Sequence, residues 1–68
     1  MENLKLLEKY TKKIVEIKLN WDWTTHPLIV KPLQYLEEDY PSYLIEEIKD
    51  KTLFEVREED IIYVKPVE

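Results

Sequence analysis

The stretch that decides the fold is SYLIEEIKDKTLFEVREEDIIYV, residues 42–64. From Thr52 its residues alternate between two sides of the chain, with Phe54 and Val56 on one side and mostly polar residues on the other. This period of two is typical of a strand that buries one face and leaves the other in water. The sequence therefore predicts a β-sheet whose core side includes Phe54 and Val56.

The segment before this strand fits two structures. Residues 43–48 can pair with it as a hairpin across the polar turn Lys49-Asp50-Lys51, where we expect Asp50 to adopt the positive φ of a tight turn. The same residues also fit a helix capped by Ser42, because they carry apolar side chains at helical spacing. We favour the strand, since tyrosine and isoleucine begin the segment and the next strand needs a nearby partner.

The end of the stretch continues the β pattern. Glu58-Glu59-Asp60 is too acidic to enter a core, whereas Ile61-Ile62-Tyr63-Val64 is β-branched and aromatic and resumes a strand. The hairpin YLIEEIKDKTLFEV, the acidic corner EED and the strand IIYV together resemble the last three strands of small SH3-like barrels. This resemblance covers roughly the last third of the chain and implies a barrel of about five strands.

The N-terminal part of the chain predicts a helix and then a strand. Residues 1–11 fit a short helix with one apolar face. Over residues 12–21 apolar and polar positions alternate, apart from Ile14, and a loop is expected from Asp22 to Pro27. The core side of this strand is predicted to hold its odd-numbered apolar residues, which are Val15, Ile17, Leu19 and Trp21.

Prolines divide the middle of the chain. Leu28-Ile29-Val30 predicts a second strand, which we expect Pro32 to interrupt, because proline cannot donate a hydrogen bond to a ladder. Such a strand belongs at an edge or a bend. Apolar residues between Leu33 and Tyr40 then recur at helical spacing, which predicts one helical turn before Pro41.

These elements predict a mostly β protein of the α+β class, a small SH3-like barrel of about five strands with a short N-terminal helix. We expect a single domain over residues 1–68, with the helix at 1–11 and the barrel at 12–68. A chain this short buries only about 60% of its unfolded surface, so all the strands must share one small core. The residues expected in that core are Val15, Ile17, Leu19, Trp21, Phe54, Val56, Ile62 and Val64.

The composition argues against most kinds of site chemistry. The sequence has no cysteine and no glycine, and it has one histidine, His26, and one serine, Ser42. Disulfides and thiolate sites are excluded, zinc or copper would lack a second strong ligand within one chain, and phosphate-cradling glycine loops are missing. We therefore expect no enzyme activity, no catalytic or metal-binding residues and no cofactor.

Charge is distributed unevenly along the chain. Residues 1–31 carry six lysines against four carboxylates, a net charge of +2, whereas residues 32–68 carry four basic and eleven acidic residues, a net charge of −7. The total of −5 disfavours nonspecific binding to nucleic acid. The sequence shows neither a run of membrane-spanning length nor a secretory signal, so we expect a cytoplasmic protein that does not enter a membrane.

The unusual side chains of this sequence are aromatic and acidic. Trp21 and Trp23 flank Asp22, and Trp23 either closes the barrel mouth or anchors a partner. The carboxylate runs are either solvated corners or a surface for a basic partner. We expect a small acidic regulatory module that binds a protein with a basic surface, as a monomer or a homo-oligomer. The candidate partner-binding residues are Trp23, Tyr35, Glu37, Glu38, Asp39, Tyr40, Glu58, Glu59 and Asp60.

The sequence raises two further hypotheses, one from its N-terminal lysines and one from its size and composition. A nucleic-acid-associated SH3-like module would use the N-terminal lysines, which are Lys5, Lys9, Lys12, Lys13 and Lys18. A small, acidic, glycine-free chain also has the look of a phage or mobile-element protein that occludes a host factor.

Overall fold

The protein folds into a five-stranded antiparallel sheet with one short helix. The computed structural model describes residues 2–67; Met1, assigned above to the helix, and Glu68, counted above in the acidic half, lie outside the described residues. In chain order the elements are α1 (Glu2–Lys9), β1 (Val15–Leu19), β2 (Leu28–Glu37), β3 (Pro41–Glu47), β4 (Leu53–Val56), a 3-10 turn (Glu58–Asp60) and β5 (Ile61–Pro66). The strand order is β4-β3-β2-β1-β5, so β4 and β5 are the edges and the sheet is not closed. A mostly β fold with an N-terminal helix is confirmed.

The alternation predicted for β1 is confirmed. Val15, Ile17 and Leu19 are at most 1% exposed, while the residues between them are half-buried. The strand alternative for residues 43–48 is also confirmed over Pro41–Glu47, and Ile45 of β3 lies opposite Phe54 of β4. The members of the core cluster are Leu4, Leu7, Val15, Ile17, Leu19, Val30, Tyr43, Ile45, Val56, Ile61 and Val64.

Helix α1 covers the core side of the sheet with its apolar face. Leu4 and Leu7 are buried there, as the helical spacing predicts. The helix ends at Lys9 rather than at Thr11, because the Thr11 hydroxyl lies 2.8 Å from the carbonyl of Glu8 and competes with continued helix. The same hydroxyl contacts the hydroxyl of the buried Tyr43 and so links the helix to β3.

Strand β2 runs unbroken to Glu37, so the interruption expected at Pro32 and the helical turn expected over residues 33–40 are both wrong. The strand lies in the middle of the sheet, but its pairing with β1 ends at Val30. The carbonyl of Pro32 accepts a hydrogen bond from the N–H of Lys12 at 2.7 Å, just beyond that ladder. The N–H and the carbonyl of a strand residue point to the same side of the strand. The N–H that Pro32 lacks would therefore point toward β1, beyond the last β1–β2 pair, so no ladder hydrogen bond is lost there.

The β2–β3 hairpin replaces the expected helical turn. Seven residue pairs join the two strands, and the register shifts between Pro32 and Gln34, where a bulge takes up the extra residue. Tyr35 lies opposite Tyr43 beyond this shift. Pairing with a whole strand therefore overrides the weak helical spacing of a few apolar residues.

The turn between β3 and β4 differs from expectation at one position. Lys51, not Asp50, has the positive φ, at 64°. The Asp50 carboxylate instead accepts a hydrogen bond from the N–H of Thr52 at 3.3 Å, and hydrogen bonding by Thr52 lowers the pKa of this carboxyl. Asp50 stabilises the turn through its side chain, and the left-handed conformation falls on the next residue.

The core prediction fails at Ile62, which is 56% exposed, whereas Ile61 is 7% exposed. Tyr63 lies opposite Lys18 and Ile61 lies opposite Leu19, so Ile62 is the extra residue of a bulge. The bulge reverses the alternation, and Ile61 takes the core position instead. Trp21 and Phe54, expected inside the core, are partly buried and pack against it.

Adjacent isoleucines provide a test of this bulge. Ile61→Ala should lower the free energy of unfolding by about 2–5 kcal/mol, because it leaves a cavity in the core. Ile62→Ala should change it by less than about 0.5 kcal/mol, since that side chain is largely in water. Urea unfolding of both variants measures the difference, and equal losses would contradict the register of β5.

The chain contains no glycine, yet Lys12 and Lys51 both have left-handed φ values, of 68° and 64°. This conformation costs a residue with a Cβ about 1–2 kcal/mol, and glycine adopts it freely. Lys51→Gly should therefore raise the free energy of unfolding by about 0.5–1 kcal/mol after its own entropy cost. Lys49→Gly, in the same turn, is the matched control and should not stabilise; a gain in the control alone would refute the assignment of φ.

Candidate functional site

The loop after β1 is a hydrogen-bonded turn that fixes the direction of its aromatic side chains. Both the N–H and the hydroxyl of Thr24 lie close to the carbonyl of Trp21, at 3.0 and 2.8 Å, and Thr24 is only 4% exposed. The ammonium of Lys18 donates to the carbonyl of Thr24 at 3.0 Å. Trp23 lies inside this turn, so its main chain is held on both sides.

Three aromatic rings meet beside this turn and form the aromatic cluster, Trp21, Trp23 and Phe54. The ring centroids of Trp23 and Phe54 are 5.5 Å apart, and Trp21 lies 5.8 Å from Trp23 and 5.9 Å from Phe54. These distances are typical of directly packed aromatic pairs. Trp21 and Phe54 also pack against the core, whereas Trp23 remains 61% exposed. The cluster thus presents one indole to solvent on a fixed support.

A second group of candidate residues lies around the β2–β3 hairpin. Tyr40 is 42% exposed, and the guanidinium of Arg57 lies 4.1 Å from the centroid of its ring, a cation–π contact. The Arg57 guanidinium also pairs with the carboxylate of Glu59 at 3.5 Å. Tyr40 is therefore supported by a cation from the end of β4, which the sequence pattern did not indicate.

The remaining hairpin candidates are acidic or aromatic. Glu37, Glu38 and Asp39 are exposed at the end of β2 and in the turn that follows it. Tyr35 is 37% exposed and its ring packs against Tyr43, with centroids 6.2 Å apart. Desolvation, with the nearby charges of Glu37 and Glu8, raises the pKa of the Tyr35 phenol. The turn thus carries three carboxylates beside two exposed tyrosine rings.

The acidic corner at Glu58–Asp60 is largely structural. The carboxylate of Glu58 accepts hydrogen bonds from the main-chain N–H groups of Asn3 and Leu4, at 3.2 and 3.0 Å. The carboxylate of Asp60 accepts one from the N–H of Arg57 at 2.9 Å. The side chain of Glu59 is 72% exposed and, of these three carboxylates, the most open to a partner.

The nine residues singled out from the sequence therefore divide between several surfaces. Trp23 belongs to the aromatic cluster, and Tyr40 and Glu59 both contact Arg57. Glu58 and Asp60 accept hydrogen bonds from main-chain N–H groups. Phe54 and Thr24 support Trp23 and were not predicted to do so. Two features of the sequence could have indicated this contact. Phe54 lies on the core side of β4, and the alternation that begins in β1 ends at Trp23.

Comparison with known proteins found no matching family model, no matching curated protein and no matching solved structure. Within residues 2–67, the one helix is too short and too polar to cross a bilayer. In the same residues no group of three or more histidine, aspartate or glutamate side chains is placed to hold a metal ion.

Glu58 and Glu59 allow a test of the structural role of the corner. Glu58→Gln removes the charge that faces the start of α1 and leaves one accepting oxygen, so the free energy of unfolding should fall by about 1 kcal/mol. Glu59→Gln should change it by less than about 0.5 kcal/mol. Amide exchange at Asn3 and Leu4 should quicken only in the Glu58 variant, and equal exchange in both would refute the capping role.

Proposed function

We propose that the chain is a small protein-binding module whose anchor is Trp23. The observation that carries this proposal is the exposure of Trp23, at 61%, on a support of two packed aromatic rings. A large apolar side chain in water normally moves freely, and binding must then fix it. The turn from Trp21 to Thr24 has already fixed its main chain, so a partner would meet an ordered indole.

Tryptophan is among the residues most often found at the energetic centre of a protein interface. A single indole buries a large area, and its ring N–H can still donate a hydrogen bond. Direct packing between Trp23 and Phe54 reduces the freedom lost on association. These properties favour a protein partner with a pocket for one aromatic side chain.

The partner is proposed to have a basic surface. The net charge of the protein is −5, and Asp22, Glu37, Glu38, Asp39 and Glu59 are exposed. Exposed charges of one sign mainly increase the association rate with a partner of the opposite sign. Glu58 and Asp60 bind main-chain N–H groups but keep their charge, so they add to this attraction, whereas the exposed carboxylates can also contact the partner.

We also propose that the sheet has the strand arrangement of an SH3-like barrel. The strand order β4-β3-β2-β1-β5 supports this, as does the 3-10 turn between β4 and β5. In this arrangement the β1–β2 loop and the β2–β3 hairpin both carry exposed aromatic residues. The assignment concerns architecture, and the function proposed here rests on Trp23.

The N-terminal lysines support a nucleic-acid surface less well than the aromatic cluster supports a protein interface. The ammonium of Lys18 binds the carbonyl of Thr24, and that of Lys9 lies 5.5 Å from the ring centroid of Tyr10. Some of the N-terminal lysines thus make internal contacts, and they lie on separate elements, so we retain the protein-binding proposal.

Trp23→Ala tests the anchor. A partner captured by cross-linking and purified should dissociate from this variant at least about 30-fold faster, because hot-spot residues contribute about 2 kcal/mol or more. Tyr40→Ala removes the other supported exposed ring, and Ile62→Ala removes an exposed side chain on β5. Surface plasmon resonance measures all three, with thermal melting as the check on folding.

The three variants give distinguishable outcomes. The proposal predicts a fast dissociation rate for Trp23→Ala alone. A large effect in Tyr40→Ala with none in Trp23→Ala would move the anchor to the hairpin. Unchanged dissociation in all three would refute an aromatic anchor altogether.

A further inference from the structure

A second surface lies at the opposite end of β1 from the aromatic cluster. It is a groove of about 740 Å³ lined by Tyr10, Lys13, Ile14, Pro66 and Val67. One wall is the connection from α1 to β1, and the other is the end of β5. The N–H of Val67 donates to the carbonyl of Ile14 at 3.4 Å and joins the two walls. Since β1 has five residues, the groove lies about 17 Å from the turn that holds Trp23.

The lining of the groove is mainly apolar and partly in water. Ile14 is 38% exposed and Val67 is 44% exposed. Ile14 is the residue that breaks the alternation of its segment, and its exposure here is the result. Tyr10 packs against the core and also lines the groove. A concave apolar surface of this kind accepts a side chain of the partner, whereas a protruding side chain enters a pocket of the partner.

The rim of the groove is basic, although the protein is acidic. Lys13 is one of the five lining residues, and the ammonium of Lys9 lies 5.5 Å from the ring centroid of Tyr10, which also lines the groove. Lys65 pairs with Glu16 at 3.7 Å, whereas no carboxylate of residues 2–67 forms a salt bridge with Lys12 or Lys13. The N–H of Lys12 is held by the carbonyl of Pro32, so the main chain directly before Lys13 has a defined position.

We propose that this groove binds an acidic peptide segment of a partner protein, with one apolar side chain in the groove and a flanking carboxylate beside Lys13. Charge complementarity selects this occupant. A nucleic acid fits less well, because the lining is aliphatic apart from Tyr10 and the negative charge of the whole molecule repels a long polyanion. The site is separate from the aromatic cluster and does not depend on the role of Trp23.

The test is an NMR titration of the isotope-labelled full chain with a short peptide in which one leucine is flanked by glutamates. Amide shifts should be confined to the groove, at Tyr10, Lys13, Ile14 and Val67, with a Kd of about 1 mM or tighter. Two control peptides separate the contributions. In one, lysines replace the glutamates; in the other, glutamine replaces the leucine. Neither should shift these amides.

Two variants complete the experiment. Lys13→Glu reverses a charge at the rim and should weaken peptide binding about tenfold, while Lys49→Glu makes the same change in the β3–β4 turn and should weaken it less than about twofold. Equal losses in both variants, shifts located elsewhere or equal binding of the lysine peptide would overturn the proposal. Tighter binding of a short oligothymidylate to the same amides would overturn it as well, and would assign the lysines to phosphate.

Discussion

The fold depends on a contact between its two ends, the capping of α1 by Glu58. The carboxylate of Glu58 binds the N–H of Leu4, which lies 54 residues earlier in the chain. An open sheet of five strands exposes one apolar face unless another element covers it. The helix provides Leu4 and Leu7 for that purpose, but a helix of eight residues is marginal in water on its own. The corner before β5 therefore holds in place the element that completes the core.

The absence of glycine imposes a second constraint. Two left-handed positions, Lys12 after the helix and Lys51 in the β3–β4 turn, are filled by residues that prefer other conformations. The strain at Lys12 is offset by the hydrogen bond from its N–H to Pro32, which in turn supplies β2 with a partner beyond the end of β1. The strained lysine and the buried proline are thus parts of one local arrangement.

Much of the fold could be predicted from local pattern. Strands β1 and β4 each bury one face, so apolar and polar residues alternate along their sequences. The failures involve information held elsewhere in the chain. The exposure of Ile62 depends on a bulge against Lys18, and the tolerance of Pro32 depends on where β1 ends. The candidate site was predicted only in part. Trp23 was singled out, but its packing on Phe54 joins residues far apart in sequence and no local period encodes it.

The two surfaces proposed for binding share β1 as their support. Ile14 precedes this strand and Trp21 follows it, so the basic groove and the aromatic cluster are held apart by a strand whose core residues are fully buried. Opposite charges on separate surfaces would also draw two copies together at low salt, but the net charge of −5 opposes that contact. A substitution in the core of β1 would disturb both surfaces at once. Exposed side chains such as Trp23 and Lys13 can instead be changed one at a time, so the two surfaces can be separated by experiment.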